Sequence, residues 1–202
     1  MKYNIIGDIH GRTCWKGLVR DDAVNIFLGD YLDPYDRDRI KPGVDDLANL
    51  KEIVQFKKTH PETILLLGNH DWHYVFSECY SRYNDKYADE FSDYFRSNWN
   101  MFTMAYSIAD KILVTHAGVT RPWLNMVGLQ NCLTPDEIAQ GINHFVMDQL
   151  GFSYLMASRT FRRGDRMGIS DTASPIWVRP MALLAYNAVP DCFQVVGHTQ
   201  NS

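Results

Sequence analysis

Residues 3–10 read Tyr3-Asn4-Ile5-Ile6-Gly7-Asp8-Ile9-His10, and residues 24–30 read Val24-Asn25-Ile26-Phe27-Leu28-Gly29-Asp30. Each is a short apolar, β-branched run that stops at a glycine and is followed at once by a carboxylate. Runs that are continuous rather than alternating suit strands buried on both faces. Three more runs close on one spacer and a polar residue: Leu66-Leu67 into Gly68-Asn69, Leu113-Val114 into Thr115-His116, and Val195-Val196 into Gly197-His198. Four of the five spacers are glycine. A polar residue after a strand usually caps a turn. Five of them in the same position point instead to one locus at the carboxyl ends of the strands, where open α/β sheets place their ligands.

Working outward, Tyr3–Ile6, Val24–Leu28 and Thr63–Leu67 are expected as strands, with helices over Arg12–Arg20 and Val44–Thr59 between them. Leu47, Leu50 and Val54 recur at helical spacing in the second helix. Strand–helix–strand order implies right-handed crossovers and an α/β fold. A hairpin is expected from Ala105–Ala109 and Ile112–Thr115. Thr134-Pro135-Asp136-Glu137 is a helix start, with Thr as N-cap, Pro at N1 and Glu at N3, and that helix should run to about Leu150. Between 72 and 104 the aromatics Tyr80, Tyr83, Tyr87, Phe91, Tyr94 and Phe95 step by three or four, as a helical stripe does. Two readings of the stripe stand: a helix packed on the core, or an aromatic cap beside a substrate pocket. Residues 157–173, rich in arginine, are expected as a loop, and no linker divides the 202 residues, so one domain is expected.

The formal net charge of −4, with no run of Lys and Arg, disfavours a nucleic-acid-binding module. No apolar stretch approaches the ~18 residues of a spanning helix, and Met1-Lys2-Tyr3 runs into a strand without a secretory leader pattern. Cys14, Cys79, Cys132 and Cys192 form no C-x-x-C pair. Reduced thiols with structural roles in a cytoplasmic protein are expected.

The residue types at the strand ends fit a metal site. Asp8 and His10 are two apart and project to the same side of an extended chain, Asp30 offers a carboxylate able to bridge two ions, and Asn69, His116 and His198 add neutral donors. Mixed oxygen and nitrogen ligation suits Mn, Fe, Zn or Ni better than Ca or a thiolate site.

Gly7-Asp8-Ile9-His10-Gly11, Gly29-Asp30-x-x-Asp33, Gly68-Asn69-His70-Asp71, His116-Ala117-Gly118 and Gly197-His198-Thr199 resemble, in order, the signature blocks of the calcineurin-like metallophosphoesterase superfamily. Within it the chain is most similar to the phosphoprotein phosphatase branch, including bacterial serine/threonine phosphatases. Val114–Thr120 is also similar to the symmetrical diadenosine tetraphosphatases. The resemblance implies a metallophosphatase-type β-sandwich of mixed sheets flanked by helices, four layers in all, with the second sheet pared down or the chain cut short after Ser202.

It further implies that Asp8, His10 and Asp30 hold a first metal, and Asp30, Asn69, His116 and His198 a second. A metal-bridging hydroxide would attack phosphorus in line, without a phosphoenzyme. His70 would face the leaving-group oxygen as proton donor, with Asp33 as its carboxylate partner. The branch usually continues its second block with a phosphate-gripping Arg, where this chain has Pro34-Tyr35; Arg37 or Arg39 would have to reach in, or that contact is missing. Ser174-Pro175-Ile176-Trp177-Val178-Arg179 resembles the segment that supplies a second phosphate arginine, which makes Arg179 the candidate clamp. His73 stands one helical turn past His70, while His60 and His144 lie away from the strand ends. Position 200 is Gln200, where many broader superfamily members carry a second histidine, which favours the phosphatase branch.

The function implied is a two-metal phosphomonoesterase acting on phosphorylated protein or a small phosphoester, with two divalent ions, Mn foremost. A nucleotide polyphosphate hydrolase is the alternative. A non-catalytic phospho-binding protein would be betrayed by a missing ligand, and none is missing.

Overall fold

A computed structural model describes residues 1–76, 81–147, 168–185 and 192–199. The chain divides into two compact units, 1–102 and 103–202. It is a mixed α/β protein with two small sheets flanked by helices, as expected.

In the first unit β1 (Tyr3–Ile6), β2 (Val24–Phe27) and β3 (Ile64–Leu65) form a parallel sheet in that order. The register pairs Ile6 with Phe27 and Phe27 with Leu65, so the three strands finish level with one another. β2 lies in the middle and is buried throughout, as its continuous apolar run predicts. β1 departs from that expectation. It pairs only with β2 among the described residues, and Ile5 is 36% exposed. Its apolar run therefore marks an edge strand as well as a buried one.

Helix α1 (Asp45–Thr59) buries the predicted stripe, Leu47, Leu50, Ile53 and Val54. The helix expected over 12–20 is reduced to a single 3₁₀ turn, Cys14–Gly17. Trp15 anchors that turn, fully packed, with its indole N–H donating to Asn49 on α1 at 2.9 Å. One long buried aromatic fixes the segment without a helical face.

The aromatic stripe over 72–104 is likewise broken. Helix α2 (Asn69–Val75) ends before it, and Phe91, Tyr94 and Phe95 lie on α3 (Ala88–Ser97). Tyr87 closes a 3₁₀ turn (Asp85–Tyr87), Tyr83 lies outside any helix, and a further 3₁₀ turn follows at Trp99–Met101. Phe91 and Phe95 are wholly buried on α3, and Tyr74 packs edge-on to Phe91 at 4.7 Å. For these residues core packing is the outcome. Tyr80 lies outside the described residues.

The second unit holds the hairpin β4 (Ala105–Ile108) and β5 (Ile112–Thr115), close to the expected bounds. β6 (Phe193–Val195) joins β5 in parallel, completing a mixed three-stranded sheet. Helix α4 (Arg121–Met126) follows β5 and begins at Thr120, whose hydroxyl caps Trp123 N–H.

Helix α5 (Pro135–Met147) starts where the sequence placed it. Glu137 N–H donates to the Thr134 hydroxyl, and the Glu137 carboxylate receives Thr134 N–H, a closed capping box. Its far end near Leu150 lies outside the described residues. α5 packs on β4 and β5 through Ile138, Ile142 and Val146. Its Asn143 carboxamide bonds both Ala105 N–H and Ala105 C=O, which satisfies an otherwise open strand. A short helix α6 (Pro180–Ala185) follows the 168–179 loop. Arg159, Arg162, Arg163 and Arg166 of the expected arginine-rich loop lie outside the described residues.

No described helix is long and apolar enough to cross a membrane. Cys14, Cys132 and Cys192 are free thiols. Cys14 is exposed, Cys132 and Cys192 are half-buried, and Cys79 lies outside the described residues.

Candidate metal centre and acid pair

The strand-end loops of the first unit are tied to one another by backbone bonds. Ile9 and His10 N–H groups donate to Asp30 C=O, and Gly11 N–H to Tyr31 C=O. Gly29 has φ +103°, and a Cβ there would strike Gly68, while a Cβ on Gly68 would strike Asp30. The two glycine spacers are thus needed for the β2 and β3 loops to touch.

Asp71, noticed in the sequence only as part of a motif, is the buckle between these loops. Its Oδ2 accepts from Asp30 N–H (2.7 Å) and Gly68 N–H (2.9 Å), and its Oδ1 from Tyr31 N–H (2.8 Å). Burial and the nearby Asp30 charge push its carboxyl well above the ordinary range, and the three N–H donors oppose them.

Asp8, His10 and Asp30 each bring a ligand atom to within 4.8 Å of the others. His10 Nδ1 lies 2.9 Å from Leu32 C=O, an acceptor, so Nδ1 carries the proton and Nε2 is left with a bare lone pair. That Nε2 lies 3.7 Å from Asp30 Oδ2. Burial lowers the His10 pKa, and Asp30 offsets this only in part, which keeps the ring neutral, as a ligand must be. Asp30 Oδ1 receives His70 N–H at 2.8 Å. Both His10 (φ +46°) and Asp30 (φ +51°) hold left-handed backbone, which costs about 1–2 kcal/mol for each such residue. Strain of this kind concentrates at functional sites. Asn69 is buried at the first position of α2.

His70 and Asp33 are brought together as expected. His70 Nδ1 lies 2.7 Å from Asp33 Oδ2. Two further residues converge on the same carboxylate: His73 Nε2 is 2.8 Å from Oδ2, and the Tyr74 hydroxyl donates to Oδ1 at 2.5 Å. Burial alone would raise the Asp33 pKa, but the bonds from His70 and His73 outweigh it and hold the carboxyl below its ordinary value. His10 and His70 meet edge to face at 5.2 Å, so the acid pair adjoins the ligand cluster.

The unforeseen member is Arg82. Its Nη2 donates to His70 Nε2 at 2.9 Å, its Nη1 to Asp33 C=O at 2.5 Å, and its guanidinium lies 3.8 Å over the Tyr35 ring. A guanidinium cannot accept, so His70 Nε2 is the acceptor and Nδ1–H donates to Asp33. Arg37 and Arg39, by contrast, are exposed. Nothing in the order of residues 72–104 marks Arg82 for this place.

In the second unit His116 is wholly buried at the end of β5, and His198 follows β6 with φ +65°. Gly197 N–H donates to His116 C=O at 2.7 Å. The loops so joined set His116 Nε2 and His198 Nδ1 3.3 Å apart. Arg179 reaches the same loop, its Nη1 donating to the Thr199 hydroxyl at 3.2 Å. His60 caps α1 and stacks on Phe56, away from either cluster.

In the first unit, two carboxylates and a neutral imidazole gathered at strand ends, with a histidine–carboxylate pair beside them, are the equipment of a metal-dependent hydrolase. The calcineurin-like phosphoesterase family matches residues 1–177, and the chain belongs to that family of metal-dependent phosphoesterases. Among solved structures it is similar to a protein serine/threonine phosphatase from Saccharomyces cerevisiae, itself described as similar to human phosphatase PP5. Identity is 23%, with a TM-score of 0.38, over 59% of this chain. The match spans only 38% of that structure's length.

Proposed function

We propose that this chain is a two-metal phosphomonoesterase with a single catalytic domain, acting on phosphoserine, phosphothreonine or phosphotyrosine of a protein. The observation that carries the reading is the Asp8–His10–Asp30 cluster, with His10 and Asp30 in left-handed backbone, beside the His70–Asp33 pair. The donor set fits divalent ions: one carboxylate with an oxygen turned to a bare, neutral imidazole nitrogen, and no thiolate. Asp8, His10 and Asp30 would hold one ion, and Asp30, Asn69, His116 and His198 the other, with Mn the expected metal. Such ions, when bound, lower the pKa of water toward neutrality and offset charge on the phosphoryl oxygens.

The chain's own residues do the rest. His70 stands at the leaving-group side with Asp33 fixing the ring through Nδ1–H; its Nε2 takes up a proton from water and passes it to the leaving oxygen. Arg179 gives a fork that matches phosphate geometry. Free thiols at Cys14, Cys132 and Cys192 fit a reducing, cytoplasmic setting. Phe91 and Phe95 are spent on packing while Tyr83, Tyr87 and Tyr94 are only half-buried. A nucleotide polyphosphate therefore stays the second substrate class, separated from phosphomonoesters by relative rates of cleavage.

The test is p-nitrophenyl phosphate hydrolysis after metal stripping and Mn add-back, for wild type and Asp30→Asn. Metal-dependent turnover that the variant loses is expected. Absence of turnover with Mn, Fe, Zn and Ni alike would overturn the reading, and faster cleavage of diadenosine tetraphosphate than of phosphopeptides would replace the substrate class.

A further inference from the structure

Pro34 stands where a phosphate-gripping arginine was expected, and neither Arg37 nor Arg39 fills the gap. Arg37 lies over the Tyr35 ring at 4.9 Å with most of its side chain in solvent, and Arg39 is exposed at the end of a 3₁₀ turn. The positive charge at the acid pair comes from a different part of the chain. We propose that Arg82, from the segment between α2 and α3, is the residue that binds the substrate phosphoryl group in place of the missing arginine, with Tyr35 as its platform. The inference deepens the phosphatase reading and rests on it.

Three observations converge. The guanidinium already touches His70 Nε2, the nitrogen assigned to the leaving-group side, so it occupies ground that the phosphoester must approach. It is placed rather than wandering: Tyr35 lies under it, Asp33 C=O accepts from it, and Tyr35 is itself packed against His10 at 4.9 Å. Arg82 has φ +66°, a left-handed conformation that is uncommon for a non-glycine residue. Finally, it opens on a cavity of about 460 Å³ where Arg82 and Lys86 face the carboxyl-bearing residues Asp33, Asp36 and Asp85, so the guanidinium is one of two cations there able to hold an anion.

Two of the five guanidinium N–H groups are used by Asp33 and His70. The remaining donors form a planar fork of the kind that grips phosphate oxygens two at a time. When phosphate arrives, the Arg82 N–H that now donates to the His70 Nε2 lone pair turns to a phosphoryl oxygen, and the freed Nε2 takes up a proton from solvent that it can pass to the leaving-group oxygen.

The experiment compares wild type, Arg82→Ala, Arg82→Lys and Arg37→Ala, all Mn-loaded. It measures KM and kcat for p-nitrophenyl phosphate, and the Kd of inorganic phosphate by titration calorimetry. The expected result is a tenfold or greater rise in both KM and phosphate Kd for Arg82→Ala. Arg82→Lys should recover part of each, because it keeps the charge and loses the fork, and Arg37→Ala should match wild type. A phosphate Kd and KM at wild-type values in Arg82→Ala, or a fall in kcat alone, would overturn the inference. Should Arg82→Ala fail to fold, Arg82→Lys decides: wild-type Kd counts against the proposal, weaker binding for it. If the wild type shows no metal-dependent turnover, the phosphatase reading falls, while calorimetry still judges Arg82.

Discussion

His70 has a partner on each ring nitrogen: a carboxylate that orients it at Nδ1, and a guanidinium at Nε2. The Asp33 side carries the consequence for catalysis. Three side chains converge on that carboxylate, and His73 and Tyr74 fix it where it can hold the His70 ring. A general acid contributes about 10²–10⁴-fold, and only where the leaving group needs a proton. His70→Gln should therefore slow hydrolysis of an alkyl phosphomonoester far more than that of p-nitrophenyl phosphate, whose leaving group departs as a stable anion. Comparing kcat for the two substrates checks this, and equal losses would remove His70 from the acid role. The pairing of His70 with Asp33 was legible in the sequence because both lie in recognisable blocks. His73 was visible only as a residue one turn away. Arg82 was not visible at all, because its place depends on how the chain turns between two short helices, and no spacing records that.

At the scale of elements, the strands were legible and the site's supports were not. Short apolar runs locate β1, β2 and β5 to within a residue, since burial in a sheet leaves a continuous signal. The 12–20 segment misled because one aromatic, Trp15, supplies all the burial that a helical face would. Asp71 was legible as a motif letter and illegible as a buckle, since its three bonds run to backbone N–H groups 3 to 41 residues away. Backbone donors leave no trace in side-chain identity. Those bonds fix the Asp30 turn against the β3 loop, so Asp71→Asn should loosen it. An amide offers one acceptor oxygen for three donors and turns an NH₂ toward at least one of them. Leaving a buried donor unpaired costs about 1–3 kcal/mol, and disturbing a ligand's support costs about 10- to 100-fold in metal affinity. Titration calorimetry with Mn, alongside urea unfolding, should show both losses. Affinity equal to wild type in a destabilised protein would limit Asp71 to a structural role.

For the whole molecule, 24 acidic residues against 20 basic ones make stability a question of which carboxylates the fold holds charged and which it prefers neutral. Asp33 is of the first kind. Its lowered pKa stabilises the fold above the ordinary carboxylate value, and that contribution is lost as pH falls through the folded value. His10 and His73, whose pKa values are depressed chiefly by burial, add to the loss on acidification, because the unfolded chain takes up their protons first. Asp46 works the other way. It is buried in the first turn of α1, accepting Gly43 N–H at 2.7 Å and Leu47 N–H at 3.0 Å. Burial, with the Asp33 charge adding to it and those N–H bonds resisting, raises its pKa from 3.8 to about 6. Between those two values the folded state holds a proton that the unfolded chain has released, so this group's contribution falls as pH rises from about 4 to 6. Asp46→Asn removes the proton exchange and keeps an oxygen for Gly43. Relative to wild type it should be little changed at pH 4 and more stable at pH 7.5, by on the order of 1–2 kcal/mol after solvent screening. Urea unfolding at a series of pH values, followed by tryptophan fluorescence, reads that difference directly. Parallel wild-type and variant curves across the window would mean that Asp46 binds no proton on folding there, and that burial does not raise its pKa.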